Sequence, residues 1–149
     1  MSQQVQFKTD VRELIDGLNE DLAHEYTAVI QYIQNAARVS GLGRQVLKPL
    51  FEKEARDEIN HALYLANKIV TLGGVPVVKP YEVKRTGDLR EMIQASVDAE
   101  KDTIRRYKER IEQAEQVGET ELKVKLEEML AEETEHKEEL ERLLEDPRL

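Results

Sequence analysis

Cysteine is absent from this 149-residue chain. Disulfides, thiolate zinc sites, thiolate iron centres and cysteine nucleophiles are therefore excluded together. Glycine and proline are scarce, seven and four residues, and aromatics make up 5%. No stretch alternates strictly between apolar and polar residues, so strands are not expected and an all-α protein is. No apolar run approaches a membrane span and no apolar leader opens the chain, so a soluble cytoplasmic protein without a membrane partner is expected. Positive charge is also short. The net charge of −9 argues against a general nucleic-acid surface. The tail Met1-Ser2-Gln3-Gln4-Val5-Gln6-Phe7-Lys8 has a single lysine and cannot serve as a basic DNA-binding arm.

What remains is 40% hydrophobic and 36% charged, a mixture suited to amphipathic helices with solvated outer faces. The length is that of one domain, taken as residues 1–149. Apolar spacing and the breaks between stripes predict helices at roughly 10–40, 45–72, 88–117 and 120–145. The first carries Val11, Leu14, Leu18, Leu22, Val29, Ile33 and Ala36 and stops at Ser40-Gly41-Leu42-Gly43. The second carries Leu47, Phe51, Leu65, Ile69 and Leu72, with Pro49 expected in its first turn, and ends at Gly73-Gly74. Two prolines and Gly87 keep residues 75–87 from being helical. Asp88 and Glu91 suggest a capping box for the third helix, and Gly118 separates it from the fourth. Short turns make each consecutive pair antiparallel, while the middle connection, extended, can travel about 40 Å and return along a whole bundle. The expected architecture is two antiparallel hairpins joined by one long crossover.

A duplicated spacing runs through these helices. Glu25, Glu58 and His61 recur 75 positions later as Glu100, Glu133 and His136, and Tyr32 recurs as Tyr107. Residues equidistant from a hairpin turn lie at the same height. The turn at Gly41-Leu42-Gly43 is midway between Glu25 and Glu58, and the turn before Gly118 is midway between Glu100 and Glu133. All six residues also occupy stripe positions where the periodicity calls for an apolar side chain. Glu25, for example, lies between Leu22 and Val29, and Glu100 between Val97 and Ile104. Four carboxylates turned into a core are prohibitive unless something neutralises them. No Lys or Arg is expected on those stripes at that height. Two divalent cations would cancel the charge of four glutamates, and two neutral imidazoles would complete the ligand set.

With these residues in place, the whole chain resembles the carboxylate-bridged di-iron proteins of the ferritin superfamily, bacterioferritins most of all. The resemblance is carried by Asn19-Glu20-Asp21-Leu22-Ala23-His24-Glu25 with Tyr32, by Glu58-Ile59-Asn60-His61, by Asp98-Ala99-Glu100 and by Glu132-Glu133-Thr134-Glu135-His136. It implies a ferritin-like four-helix bundle binding two iron ions per chain. In it Glu58 and Glu133 bridge the metals, Glu25 and Glu100 are terminal, and His61 and His136 bind one metal each. It further implies that Tyr32 is a redox or hydrogen-bonding neighbour of the site. Ile59 stands where haem-binding bacterioferritins carry Met, so no haem is expected. Thr103 stands where rubrerythrins usually add a carboxylate. After the fourth helix, the short fifth helix of many cages is not expected.

The activity implied is ferroxidase-type. Fe(II) would be oxidised by O2 or H2O2 in iron detoxification or storage, or in oxidative-stress defence, by a homo-oligomer of at least two chains. A rubrerythrin-like peroxidase, a manganese catalase-like enzyme and a non-catalytic metal-binding bundle use much the same ligands and stand as alternatives. Glu54 is expected to be a solvated edge residue rather than an iron-entry group. His24, about 100° from its ligand neighbour, is expected on a surface or interface.

Overall fold

The computed structural model describes residues 9–149. The Met1–Lys8 tail considered above lies outside the described residues. Four helices, and no strand among the described residues, make up the structure: α1 Val11–Arg38, α2 Arg44–Thr71, α3 Leu89–Gln116 and α4 Thr120–Leu144.

Local chemistry sets these limits. Asp10 caps α1 by accepting the Glu13 N–H at 2.8 Å, and Asp88 caps α3 by accepting that of Glu91 at 2.9 Å. The expected capping box at Asp88 is only half formed, because the Glu91 carboxylate accepts the Thr86 hydroxyl instead, at 2.7 Å. Both hairpin turns need a left-handed residue, supplied by Gly41 at φ 81° and Gly118 at φ 78°. Pro49 does not fall in a first turn as expected. Gly43 lets α2 start at Arg44, which puts Pro49 one turn further in on the exposed face. There the carbonyl it leaves unpaired can be served by water.

The hairpins α1–α2 and α3–α4 pack with α1 against α3 and α2 against α4. This is possible because the crossover climbs back along α1. The Asn19 amide donates to the Val75 carbonyl at 3.1 Å and accepts the Val77 N–H at 2.9 Å. Thr27 accepts the Tyr81 N–H at 2.8 Å, and the His24 ring lies 4.4 Å from that of Tyr81. His24 is thus half-buried beneath the crossover, neither free surface nor a ligand.

Two apolar clusters fill the bundle. One gathers Leu14, Leu18, Leu22, Leu65, Ile69, Leu122 and Leu126, and the other Val39, Leu47, Phe51, Ile93, Val97 and Leu140. The polar residues of the repeat fall between them. Ile33 is not part of either core; it is 54% exposed, as its neighbours Tyr32 and Ala36 take the inward face. A helix of 28 residues drifts relative to a fixed heptad-like stripe. Ile33 and Ile30 instead join Ile59 and Leu63 as exposed apolar side chains on the α1–α2 hairpin, and Tyr26, Ile30, Ile59, Leu63 and Val78 line a groove there.

Candidate metal centre

Each helix brings at least one buried carboxylate to the level between the two clusters: Glu25 from α1, Glu58 from α2, Glu100 from α3 and Glu133 from α4. His61 and His136, one turn beyond the glutamates of α2 and α4, are buried with them. The structure brings all six together in two overlapping groups. Glu25, Glu58, His61 and Glu133 form one, and Glu58, Glu100, Glu133 and His136 the other. Within each group, one ligand atom per residue lies within 4.8 Å of all the rest. Glu58 and Glu133 belong to both. His61 Nδ1 is 2.9 Å from Glu133 Oε1 and 3.7 Å from Glu58, and His136 Nδ1 is 3.4 Å from Glu58 and 3.7 Å from Glu100.

Short separations do not mean satisfied groups here. Glu25 Oε2, Glu58 Oε1, Glu100 Oε2, Glu133 Oε1, His61 Nδ1 and His136 Nδ1 are all buried without a hydrogen-bond partner. One atom from each of the six residues is therefore orphaned, and all six face the same small space. An unsatisfied buried polar atom costs roughly 1–3 kcal/mol, so six in one place demand a common partner.

The outward atoms of the same residues are held. Tyr32 donates to Glu100 Oε1 at 2.6 Å, and Tyr107 donates to Glu25 Oε1. Each tyrosine thus serves the carboxylate of the opposite hairpin. Tyr107 had no particular role assigned from sequence, although the repeat that relates it to Tyr32 was the available signal. His61 Nε2 donates to Glu132 Oε2 at 2.7 Å and His136 Nε2 to Asp57 Oδ2 at 3.0 Å.

Electrostatics follow from this crowding. Burial, and then the charge of neighbouring glutamates, raises Glu58 and Glu133 well above the ordinary carboxylate range. Burial acts the same way on Glu25, but its favourable interactions with the neighbouring Glu58, His61 and Tyr107 outweigh it and leave Glu25 below its ordinary value. Burial alone would lower the histidines. The adjoining carboxylates of Glu133 and Glu25 overcome it at His61, pushed up to about 11, and those of Glu100 and Glu133 at His136, pushed up to about 10.

One expectation needs correction. Glu54 is not a solvated edge residue: it is 1% exposed, with both carboxylate oxygens unpartnered. Burial raises it to about 7, with the charge of Glu100 adding and that of His136 opposing. It lies one turn before Glu58, close enough to Glu100 and His136 to feel their charge. Buried arginines do exist, one turn beyond the six residues. Arg110 grips Asp21 through Nε at 2.7 Å and Nη2 at 3.2 Å, with Arg106 Nε 3.7 Å away. The guanidinium of Arg110 occupies the space that a side chain on Gly17 would need. These cations balance Asp21 and not the cluster of four glutamates, whose charge is met within the cluster by bound protons on Glu58, Glu133, His61 and His136.

Fold and donor set together define a class: ferritin-like four-helix bundles whose core holds paired carboxylate–histidine clusters. The chain belongs to the ferritin-like family, whose ferritin-like domain matches residues 15–149. A bacterioferritin of Mycobacterium tuberculosis is 33% identical over 129 residues, which cover 86% of this chain and 81% of that one. A ferritin-like, diiron-carboxylate protein from Bacillus anthracis superposes with a TM-score of 0.89 at 59% identity, over 93% of this chain and 99% of the other. A dodecameric thioferritin related to bacterioferritin, from Bacteroides fragilis, superposes with a TM-score of 0.81 at 30% identity, over 93% and 88% of the two chains.

Proposed function

We propose that this chain is a ferroxidase-type di-iron protein that oxidises Fe(II) with O2 or H2O2. Glu58 and Glu133 would be shared by the two irons, Glu25 and Glu100 would be terminal, and His61 and His136 would each serve one through Nδ1. The observation that carries this reading is the set of six orphaned atoms, one per residue, turned to a common space. Hard carboxylate oxygens with two imidazole nitrogens suit iron, and manganese also fits the donor type. Two adjacent irons would supply two electrons together, avoiding one-electron oxygen radicals.

The protein's own groups have distinct parts in this reading. Four carboxylates neutralise the cations, and the shared pair can change how it binds as charge changes. Tyr32 and Tyr107 hold the terminal glutamates in place, and Tyr32 is also near enough to act as a hydrogen-bonding or redox neighbour. Thr103 accepts from Arg106 at 2.9 Å, so the additional carboxylate of rubrerythrins has no substitute there. Ile59 offers no axial sulfur, and the protein is inferred to carry no haem. The exposed apolar side chains of the α1–α2 hairpin support self-association at least into dimers. Iron detoxification or storage in the cytoplasm is the role that follows; no helix among the described residues is long and apolar enough to cross a membrane.

Anaerobic Fe(II) titration tests the reading. Uptake should saturate at about two ions per chain, the capacity of this ligand set, and Glu58→Ala combined with Glu133→Ala should abolish it. Absence of saturable binding, or binding indifferent to that double variant, would remove the basis for the site.

A further inference from the structure

The repeat gives both metal positions the same ligand types: a terminal glutamate, a histidine and the shared pair Glu58 and Glu133. Any inequality between them must come from where the repeat is broken, and it is broken on the two sides with opposite sign. Beside Glu25, at the α1–α3 seam, lie Asp21, Arg106 and Arg110, all buried. Their counterparts beside Glu100 are the uncharged Ser96, Gln31 and Asn35. Asp21 is one turn before Glu25 on α1, and Arg106 and Arg110 flank Tyr107, the donor to Glu25. Arg110 binds Asp21 directly, whereas Arg106 comes only within 3.7 Å of it, with its Nε buried and without a hydrogen-bond partner. Arg106 also donates to Asp102, but that side chain is 49% exposed and its charge is screened by water. The buried seam therefore holds two cations against one anion, an excess of one positive charge. Asp21 feels the charge of Glu25, so the seam and the cluster are within electrostatic reach of one another. On the other side Glu54 sets a buried carboxyl near Glu100 and His136, where the repeat has Met129.

We propose that the triad Asp21, Arg106 and Arg110 makes the two metal positions unequal. The position at Glu100 and His136 takes the first ion, and the position at Glu25 and His61, beside the excess positive charge, takes the second. A divalent ion about 8 Å rather than about 12 Å from a like unit charge, at an effective dielectric of about 20, binds roughly tenfold more weakly. The triad touches no ligand position itself and acts through its field. Oxidation by two electrons needs both irons, so the second position sets the iron concentration at which that chemistry begins. This inference rests on the metal-binding reading above.

Zinc is a suitable probe, being redox-silent. Calorimetric titration gives the two affinities, and nitrogen–proton correlation spectra at half and full loading show which histidine ring is engaged. Wild type should bind in two steps about tenfold apart, the His136 ring shifting with the first ion and the His61 ring with the second. Arg106→Gln copies Gln31 and removes the excess charge. It should strengthen the second step about tenfold and leave the first nearly unchanged. Arg106→Lys keeps the charge and should keep the wild-type spacing. Asp21→Asn raises the excess and should weaken the second step about tenfold. Damage to packing would weaken binding in Arg106→Gln and Asp21→Asn alike, so the gain in Arg106→Gln is the deciding sign. If Asp21→Asn does not fold, the two Arg106 variants decide between them. Equal wild-type affinities, or a first ion on His61, would overturn the proposal while the metal site stands. So would an Arg106→Gln variant that binds the second ion no better than Arg106→Lys. A wild type that takes up no zinc removes the metal-binding reading and this inference together.

Discussion

Glu54 offers a quantitative check on the buried charge, because its repeat counterpart 75 positions on is Met129, an apolar core residue. Glu54→Met copies that solution. Burial raises the Glu54 pKa from 4.5 to about 7, so folding must carry a proton onto it or hold a charge against the apolar surroundings. A raised folded-state value means that its contribution is fully present below pH 4.5 and is lost as pH rises through about 7. The resulting penalty is about 1 kcal/mol at pH 5 and about 3 kcal/mol at pH 7, levelling above that. Methionine removes the titration and the two orphaned oxygens at once. Metal-free wild type and variant should be melted at equal concentration at pH 5, 6, 7 and 8. The advantage of the variant should grow by about 2.5 kcal/mol across that range. A 3 kcal/mol difference corresponds to roughly 6–12 °C in Tm for a chain of this size. A difference that is flat with pH, or that shrinks towards pH 8, would refute the reasoning.

Other consequences can be checked separately. Since Glu58, Glu133, His61 and His136 all hold protons above their ordinary ranges, metal binding at pH 7 should release protons and tighten as pH rises; calorimetry in buffers of different ionisation enthalpy should show a net release, and none would contradict the assignment. Tyr107→Phe should cost about 1–3 kcal/mol of metal-free stability, because Glu25 loses its donor inside the core, and a denaturant titration measures it. Arg110→Met should cost about 3–5 kcal/mol by leaving Asp21 buried with a weaker partner, and restoring stability with the added change Asp21→Leu would confirm that the cost is the stranded charge. An absorption spectrum of the purified protein should show no Soret band.

The elements legible in advance were those governed by local rules. Stripe period, capping aspartates and turn glycines locate all four helices within one or two residues, and hairpin symmetry accounts for the common height of the glutamates. Proline preference was a poorer guide, since a favourable turn at Gly43 outweighed it at Pro49. The residues missed depend on which helix faces which across the bundle. Glu54 has no counterpart in the repeat, and its burial follows from the packing of α2 beside Tyr32 and Glu100. Asp21, Arg106 and Arg110 also break the repeat, where Ser96, Gln31 and Asn35 stand. Asp57 and Glu132 do obey it, but a run of acids near the end of a chain reads as solvated surface until the seam between α2 and α4 is known.

The central claim is that the six converging residues catalyse two-electron oxidation of iron. Stopped-flow absorbance after mixing Fe(II) with O2, and separately with H2O2, tests it most directly. Wild type should oxidise iron well above the buffer rate, in a rapid phase ending at about two irons per chain. His61→Ala and His136→Ala should each lose that phase. Wild type no faster than either histidine variant with both oxidants would contradict the ferroxidase account.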